Sequence, residues 1–265
     1  MEALYCLLDK LDHKPENMKL IEQAMDQAAE YGHLDVLKYL HEQLGDLAIA
    51  TSDAMDNAAA NGHLEVVQWL HSNRSEGCSH QAMDYAAMNG KLDVVRFLHE
   101  SRTESESPKA MNRAAKGGHL EVVRFLHEHR TAGCTTSAMN GAARKGHLDV
   151  VRFLHFNRTE GCTVKAMNSA AAHGHLDVVV FLHHHRGEGC APSAMDYAAL
   201  SGHYEVLRFL HLMRREGCTS NAMYWAIHYN RDQIVSFLSA NRSEHIGVSY
   251  MTSIVSGMIP QNIWT

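Results

Sequence analysis

Two patterns of apolar positions alternate along this chain. In the first, small apolar residues return at helical spacing. Ala138, Met139, Ala142 and Ala143 lie within Thr135 to Lys145 and share one face of a predicted helix. In the second, the apolar residues are bulky. Leu148, Val151 and Leu154 form one stripe of His147 to His155, and Val150 and Phe153 widen it. Thr135 supplies a hydroxyl that caps the first helix, and Gly146 is placed for the left-handed residue just past its end. Asp149 falls in the first turn of the second helix, where a negative charge suits the dipole, with Arg152 three residues on. A short polar stretch, Phe156 to Cys162, leads into the next first helix. Pro108 and Pro192 are predicted at first helical positions, where a missing N–H costs nothing. No run has the period of a strand. Each unit therefore reads as helix, tight turn, helix, short loop.

The unit recurs. Gly32, Gly62, Gly90, Gly118, Gly146, Gly174 and Gly202 hold one slot, with Asn230 in the next, at a step of 30 once and then 28 six times. A fixed period of this size predicts a stacked array, in which neighbours bury faces that no unit could bury alone. The thin, Ala-rich first helices allow close approach. The phrase Ala-Met-Asp-x-Ala-Ala-x-x-Gly-His-Leu-Asp-Val-Val-x-Phe-Leu, as at Ala54-Met55-Asp56, Ala82-Met83-Asp84 and Ala166-Met167-Asn168, resembles the ankyrin repeat. Eight copies cover about nine-tenths of the chain. The resemblance implies an all-α, ankyrin-like helix-turn-helix solenoid of about eight repeats plus terminal half-repeats. The family period is about 33 residues, and the shortfall here lies where the family places a β-hairpin finger. Glu160 to Thr163 and Glu216 to Thr219 are too short for one, so shortened or absent fingers and a simple turn are expected. The whole of 1–265 reads as a single solenoid: an N-terminal half-repeat at 1–23, eight repeats over 24–245 and a C-terminal half-repeat at 246–265. Met1 to Leu7 align with Leu64 to Leu70, and Tyr250-Met251 falls 28 residues after Ala222-Met223.

Composition narrows the function. At 265 residues a globule would approach the size at which one core splits, a limit that a linear stack avoids. A formal charge of −6 with histidine neutral gives no case for broad nucleic-acid binding. Without an 18-residue apolar stretch or a signal-peptide pattern, a soluble, cytoplasmic monomer is expected, with no membrane partner. Cys78, Cys134, Cys162, Cys190 and Cys218 hold one slot, and Glu106 stands in the odd copy. The acid predicts a slot that is not deeply buried, holding reduced, partly exposed thiols too far apart to pair.

Thirteen of the 21 histidines occupy two repeated slots. One follows the glycine (His33, His63, His119, His147, His175, His203). The other follows the aromatic-Leu pair (His41, His71, His99, His127, His155, His183, His211). A residue that recurs in every unit serves the unit, and a backbone hydrogen bond at a helix end is the expected role. His183-His184-His185 and His127 with His129 could chelate a metal, but no metal or cofactor is assigned. Arg74, Arg102, Arg130, Arg158 and Arg186 are expected to bond the last carbonyls of the second helices. No nucleophile elbow, phosphate loop, Cys-x-x-Cys pair or zinc-protease helix is present, so no catalytic residue or small-molecule substrate is assigned.

Slots that stay constant hold a stack, and slots that vary can recognise something. The variable slots on the first helix give a basic centre of Lys109, Arg113, Lys116, Arg144, Lys145 and Lys165. Tyr85 and Met88 flank it on one side, Tyr197, Leu200 and Trp225 on the other. In ankyrin proteins this face lines the concave groove, so the resemblance implies a non-catalytic scaffold. The expected partner is a protein segment that is acidic and carries apolar anchors. The alternatives are nucleic-acid binding by the same basic centre, with Tyr85 and Tyr197 as stacking platforms, or a structural spacer within a larger chain. So many histidines also predict tighter binding of an acidic partner near pH 6, unless like charges loosen the stack first.

Overall fold

In the computed structural model, which describes residues 15–45, 49–101 and 107–241, the two apolar patterns become two alternating kinds of helix. The thin first helices are α1 (Pro15–Glu30), α3 (Ser52–Asn61), α5 (Gln81–Met88), α7 (Lys109–Gly117), α9 (Thr136–Lys145), α11 (Val164–Ala172), α13 (Ser193–Ser201) and α15 (Ser220–His228). Each is followed by a bulkier second helix: α2 (Leu34–Leu44), α4 (Leu64–Asn73), α6 (Leu92–Ser101), α8 (Leu120–His129), α10 (Leu148–Asn157), α12 (Leu176–His185), α14 (Tyr204–Met213) and α16 (Asp232–Asn241). Among the described residues there are eight such pairs and no strand, so the turn expected in place of a finger is what forms. Helix α1 runs unbroken through the boundary expected at residue 23. The cap expected over 246–265 lies outside the described residues, as do Arg102 and Glu106.

The described residues divide into two compact units. One lies within Met1–Ala142 and Asp149–Gly161, the other within Ala143–Leu148 and Cys162–Thr265. In the first unit α1, α3, α5 and α7 pack side by side, and α2, α4, α6 and α8 line up behind them. In the second, α11, α13 and α15 pack in the same way in front of α12, α14 and α16. Alanine makes this approach possible. Ala58, Ala59, Ala86, Ala87, Ala114 and Ala115 in the first unit, and Ala170, Ala171, Ala198 and Ala199 in the second, are fully buried. Behind them Met25, Met55, Met111, Met139, Met167 and Met195 fill the space at 2% exposure or less. Each such side chain contributes on the order of 1.5–3 kcal/mol by leaving water.

Polar residues set the spacing. The residue after Ala-Met reaches into the next repeat. Asp26 accepts from Thr51 N (2.9 Å) and Thr51 Oγ1 (2.7 Å). Asp196 does the same with Thr219 N (2.8 Å) and Oγ1 (2.7 Å), and Asp56 accepts from Ser79 N (2.9 Å) and Ser79 Oγ. Asn112 and Asn168 accept from Thr135 N and Ala191 N at 2.9 Å. The hydroxyls that donate to these struts also cap their own helices: Thr51 Oγ1 accepts from Asp53 N and Thr219 Oγ1 from Asn221 N, both at 3.1 Å. Pro108 and Pro192 stand one residue earlier than expected, at the N-cap. Both hold helical angles there, so the fixed ring still leads the chain into the helix.

The repeated glycine is required twice over. Gly174 has φ +80°, which costs an L-residue roughly 1–2 kcal/mol. The ring of His203, from the next repeat, also lies against it, and an added Cβ would sit 2.6 Å from His203 Nδ1. His63 over Gly32 and His175 over Gly146 repeat the arrangement, and Lys91 and Arg231 replace the histidine over Gly62 and Gly202. The post-glycine histidines were expected to make a backbone hydrogen bond at a helix start or end. No side-chain cap forms at the start of the helices that follow His33, His63, His119, His175 and His203. His175 makes the expected bond at a helix end, its Nε2 meeting the carbonyl of Arg144, in the last turn of α9, at 3.1 Å, and His203 bonds backbone at Ala172, the last residue of α11.

Gly174→Ala should therefore destabilise the protein by about 2 kcal/mol or more in urea unfolding. Part of that loss is the clash, so Gly174→Ala with His203→Ala should cost less than the two single changes summed, by about 1 kcal/mol. Strict additivity would show that the ring does not press on the glycine.

Candidate functional site

The variable first-helix slots divide between the two units. In the first unit, Tyr85 and Met88 on α5 are 36% and 40% exposed, and Lys109 and Lys116 on α7 are exposed. Lys109, Arg113 and Lys116 stand at i, i+4 and i+7, so they share one face of α7. Arg113 is only half-exposed, because its guanidinium lies over the Tyr85 ring at 4.6 Å from the centroid. In the second unit Arg144, Lys145 and Lys165 are exposed, Tyr197 is 49% exposed, and Leu200 and Trp225 are half-buried. Tyr197 and Trp225 occupy the same slot on the adjacent helices α13 and α15. Trp225 joins an aromatic group that sequence reasoning missed: Tyr224 at 4.8 Å, Tyr229 at 6.0 Å and His228 at 6.2 Å between ring centroids. The available signal was Tyr224 standing in the slot that carries Asp or Asn in the strut-forming repeats.

Behind these faces the recurring polar residues form clasps between repeats. Arg158 Nε donates to Glu160 at 3.2 Å, Arg158 Nη2 pairs with the same carboxylate, and Nη1 donates to His127 Nδ1 at 3.3 Å. Glu160 Oε1 accepts the backbone N–H of Cys134 at 3.2 Å. Arg214, Glu216, His183 and Cys190 repeat this arrangement, and Arg74, Glu76, His41 and Ala50 form a third copy. The backbone N–H groups of Arg74, Arg130, Arg158 and Arg186 bond the last-turn carbonyls of Leu70, Leu126, Leu154 and Leu182 as expected, whereas the guanidinium groups of Arg74, Arg158 and Arg186 pair with Glu76, Glu160 and Glu188. A carboxylate two residues on is a stronger acceptor for a guanidinium than a neutral carbonyl. The histidine of the clasp also packs edge-on against the next second helix, as His127 does on Phe153 (5.5 Å) and His183 on Phe209 (5.4 Å).

The cysteine slot is corrected too. Cys134, Cys162 and Cys218 are buried at 8–9% exposure, while Cys78 and Cys190 are half-buried. Burial, with a neighbouring glutamate of the clasp, pushes the thiols of Cys134, Cys162 and Cys190 up to about 11. Glu106 misled because it is the exceptional copy. None of the five is in a disulfide. Among the described residues no group of three His, Cys, Asp or Glu side chains could hold a metal ion. His129, for one, stacks on Phe125 at 4.3 Å with Nδ1 on the Phe125 carbonyl at 2.9 Å. Among the same residues, no helix is long and apolar enough to cross a membrane.

Residues 25–107 and 83–168 match the family model for ankyrin repeats in three copies, together more than half of the chain. No curated protein matches the chain. Among solved structures, the crystal structure of the human ASB11 ankyrin repeat domain is similar at 21% identity and a TM-score of 0.53. The likeness covers 72% of this chain and 97% of that one, and shows the fold.

The clasps carry a pH dependence with a definite sign. Arginine only donates, so His183 Nδ1 must be the unprotonated acceptor and the ring neutral. Burial first, then His184 and Arg214, hold His183 below its ordinary 6.5; burial and His175 do the same for His203. The unfolded chain therefore binds more protons, and the stability these rings contribute is present above pH 6.5 and lost as pH falls below it. Glu160 and Glu216, drawn down to about 2 mainly by Arg158 and Arg214, contribute stability above pH 4.5 that is lost between there and about 2. Melting temperature should fall in two steps on acidification. His183→Gln with His203→Gln should lower the starting value and shrink the first step, leaving the second. An unchanged first step would refute the assignment to these rings.

Proposed function

Because this chain belongs to the ankyrin-repeat family, we propose that it is a non-catalytic recognition scaffold that holds a protein partner on the first-helix faces of its two units. The observation that carries the reading is the contrast between fixed and variable slots. Ala, Met, Gly and the clasp residues are consumed in holding repeats together. The variable slots hold exposed lysines, an exposed Arg144 and half-exposed aromatics, which no packing role requires.

The chemistry of those slots favours an acidic segment with apolar anchors. Lys109 and Lys116 in the first unit, and Arg144, Lys145 and Lys165 in the second, offer positive charge on a chain whose formal net charge is −6. Local attraction therefore selects an acidic segment, while the overall charge repels bulk polyanions. Tyr85 and Met88 in one unit, and Tyr197, Leu200 and Trp225 in the other, supply contact area of the kind that dominates binding energy.

Reversing the charges of Lys109, Lys116, Arg144 and Lys145 to glutamate should abolish partner capture and move melting temperature by no more than about 2 °C, since exposed substitutions are nearly neutral. Co-purification with mass spectrometry, comparing wild type and the reversed variant, measures this. Retention of the same partners by the reversed variant would reject the basic faces as the binding surface. Capture of nucleic acid with a steep salt dependence would reject a protein partner.

A further inference from the structure

The strut between repeats is made by Asp26, Asp56, Asn112, Asn168 and Asp196, each holding the N–H of a residue 23 or 25 positions on. Asp84 stands in the same slot and does not do so. Its side chain is 3% exposed, and its Oδ2 has no hydrogen-bond partner. Its nearest opposite charge is Arg113 Nη1, at 3.9 Å, and that atom too is buried without a hydrogen bond. Arg113 therefore differs from Arg74, Arg158 and Arg214, whose Nε and Nη groups are committed to a glutamate and a histidine. It is held instead by the face of Tyr85 and by the field of Asp84, two contacts that fix a planar cation without using its hydrogen-bonding capacity. Its side chain is 32% exposed while Nη1 is buried, so the exposed area belongs to the remaining atoms.

The charge balance favours an anion. Besides Arg113, the carboxylate of Asp84 feels His80, Lys109 and Arg130. Lys109 and Lys116 stand one turn to either side of Arg113 on the same face. One buried acid thus sits among several cations, and positive charge is left over on the exposed side.

We propose that Arg113 is a preorganised receptor for a single carboxylate side chain of the partner, set beside an apolar group that rests on Tyr85 and Met88. A fixed guanidinium matches a planar carboxylate with two parallel N–H···O bonds. Little rotamer entropy is lost on binding, because Tyr85 already holds the side chain. A phosphate monoester would fit the fork equally well in shape. It carries about −1.5 to −2 charges; the neighbouring lysines attract it more strongly than a carboxylate, but one fork neutralises only one of those charges, and the remainder is left near the buried Asp84 at a larger desolvation cost. The proposal rests on the protein-recognition reading and names one group of that partner.

Fluorescence anisotropy on the full chain tests it with three labelled peptides of one sequence, Glu, Gln or phosphoserine beside a Leu-Phe pair. Wild type should bind the Glu peptide about tenfold more tightly than the Gln peptide, the scale of a charge-assisted hydrogen bond. It should bind the phosphoserine peptide no more tightly than the Glu peptide. Arg113→Lys, which keeps the charge and loses the fork, should bring the Glu and Gln peptides within about twofold, whereas Lys116→Gln should keep most of the preference. A wild type with no preference for Glu, an Arg113→Lys variant that keeps it, or tenfold tighter phosphoserine binding would each overturn the receptor. Titrating the wild type with acetate gives a readout independent of variant folding: the Arg113 Nε–H resonance should shift, and those of the clasped Arg74, Arg158 and Arg214 should not. Partner capture lost on charge reversal but unaffected by Arg113→Lys would sink this inference and leave the scaffold reading standing.

Discussion

No repeat of this protein can bury its own apolar face. A thin alanine helix and a bulky valine-leucine helix form a wedge with one apolar side toward each neighbour, and both sides must be covered. Everything else in the fold follows from how closely those wedges approach. Alanine at the contact brings first helices together, methionine fills what alanine leaves open, and a glycine follows most first helices, with a histidine of the next repeat resting on it at Gly32, Gly90, Gly146 and Gly174. A larger residue in either slot would push the repeats apart and expose the whole interface at once.

Close approach also creates a polar problem. Each junction buries backbone N–H groups at the start of a helix and in the loop before it, and unpaired buried donors are costly. The chain answers with side chains reaching across from the neighbour: the Asp or Asn strut at the front and the Arg-Glu-His clasp behind. These bonds set the spacing between repeats more sharply than apolar contact can, because they fail over a few tenths of an ångström. They also bind the fold to protonation state. His183 must stay neutral to accept from Arg214, so the charging expected to strengthen acidic recognition near pH 6 opposes the junction behind the proposed binding face.

The junction at Asp84 is the departure. Its neighbours in the array use the same slot to satisfy backbone, and here a buried carboxylate faces a guanidinium instead. A site that breaks the rule of its own repeat is where function is expected to show. In the proposed receptor, the stacked Arg113 and Tyr85 supply the chemistry for it.

The period, the helix pair, the alanine face, the left-handed glycine and the absence of a finger among the described residues were all legible from spacing, because each depends on residues close together in the chain. The exposure of Tyr85, Tyr197 and the lysines was legible too, from which slots vary. The roles of Arg158, His127 and Cys134 were not. Glu160 is two residues from Arg158, but the partners that close the clasp across the junction, His127 for Arg158 and Glu160 for Cys134, lie 31 and 26 residues away, and nothing local says which way a long side chain turns. Asp84 shows the limit most plainly. By sequence it is the equal of Asp56 and Asp196, and only packing reveals that those two hold backbone while Asp84 holds an arginine. Local repetition determines which elements form and in what order; the identity of each polar partner is decided only when one repeat closes on the next, since that contact alone sets which donors lose their water.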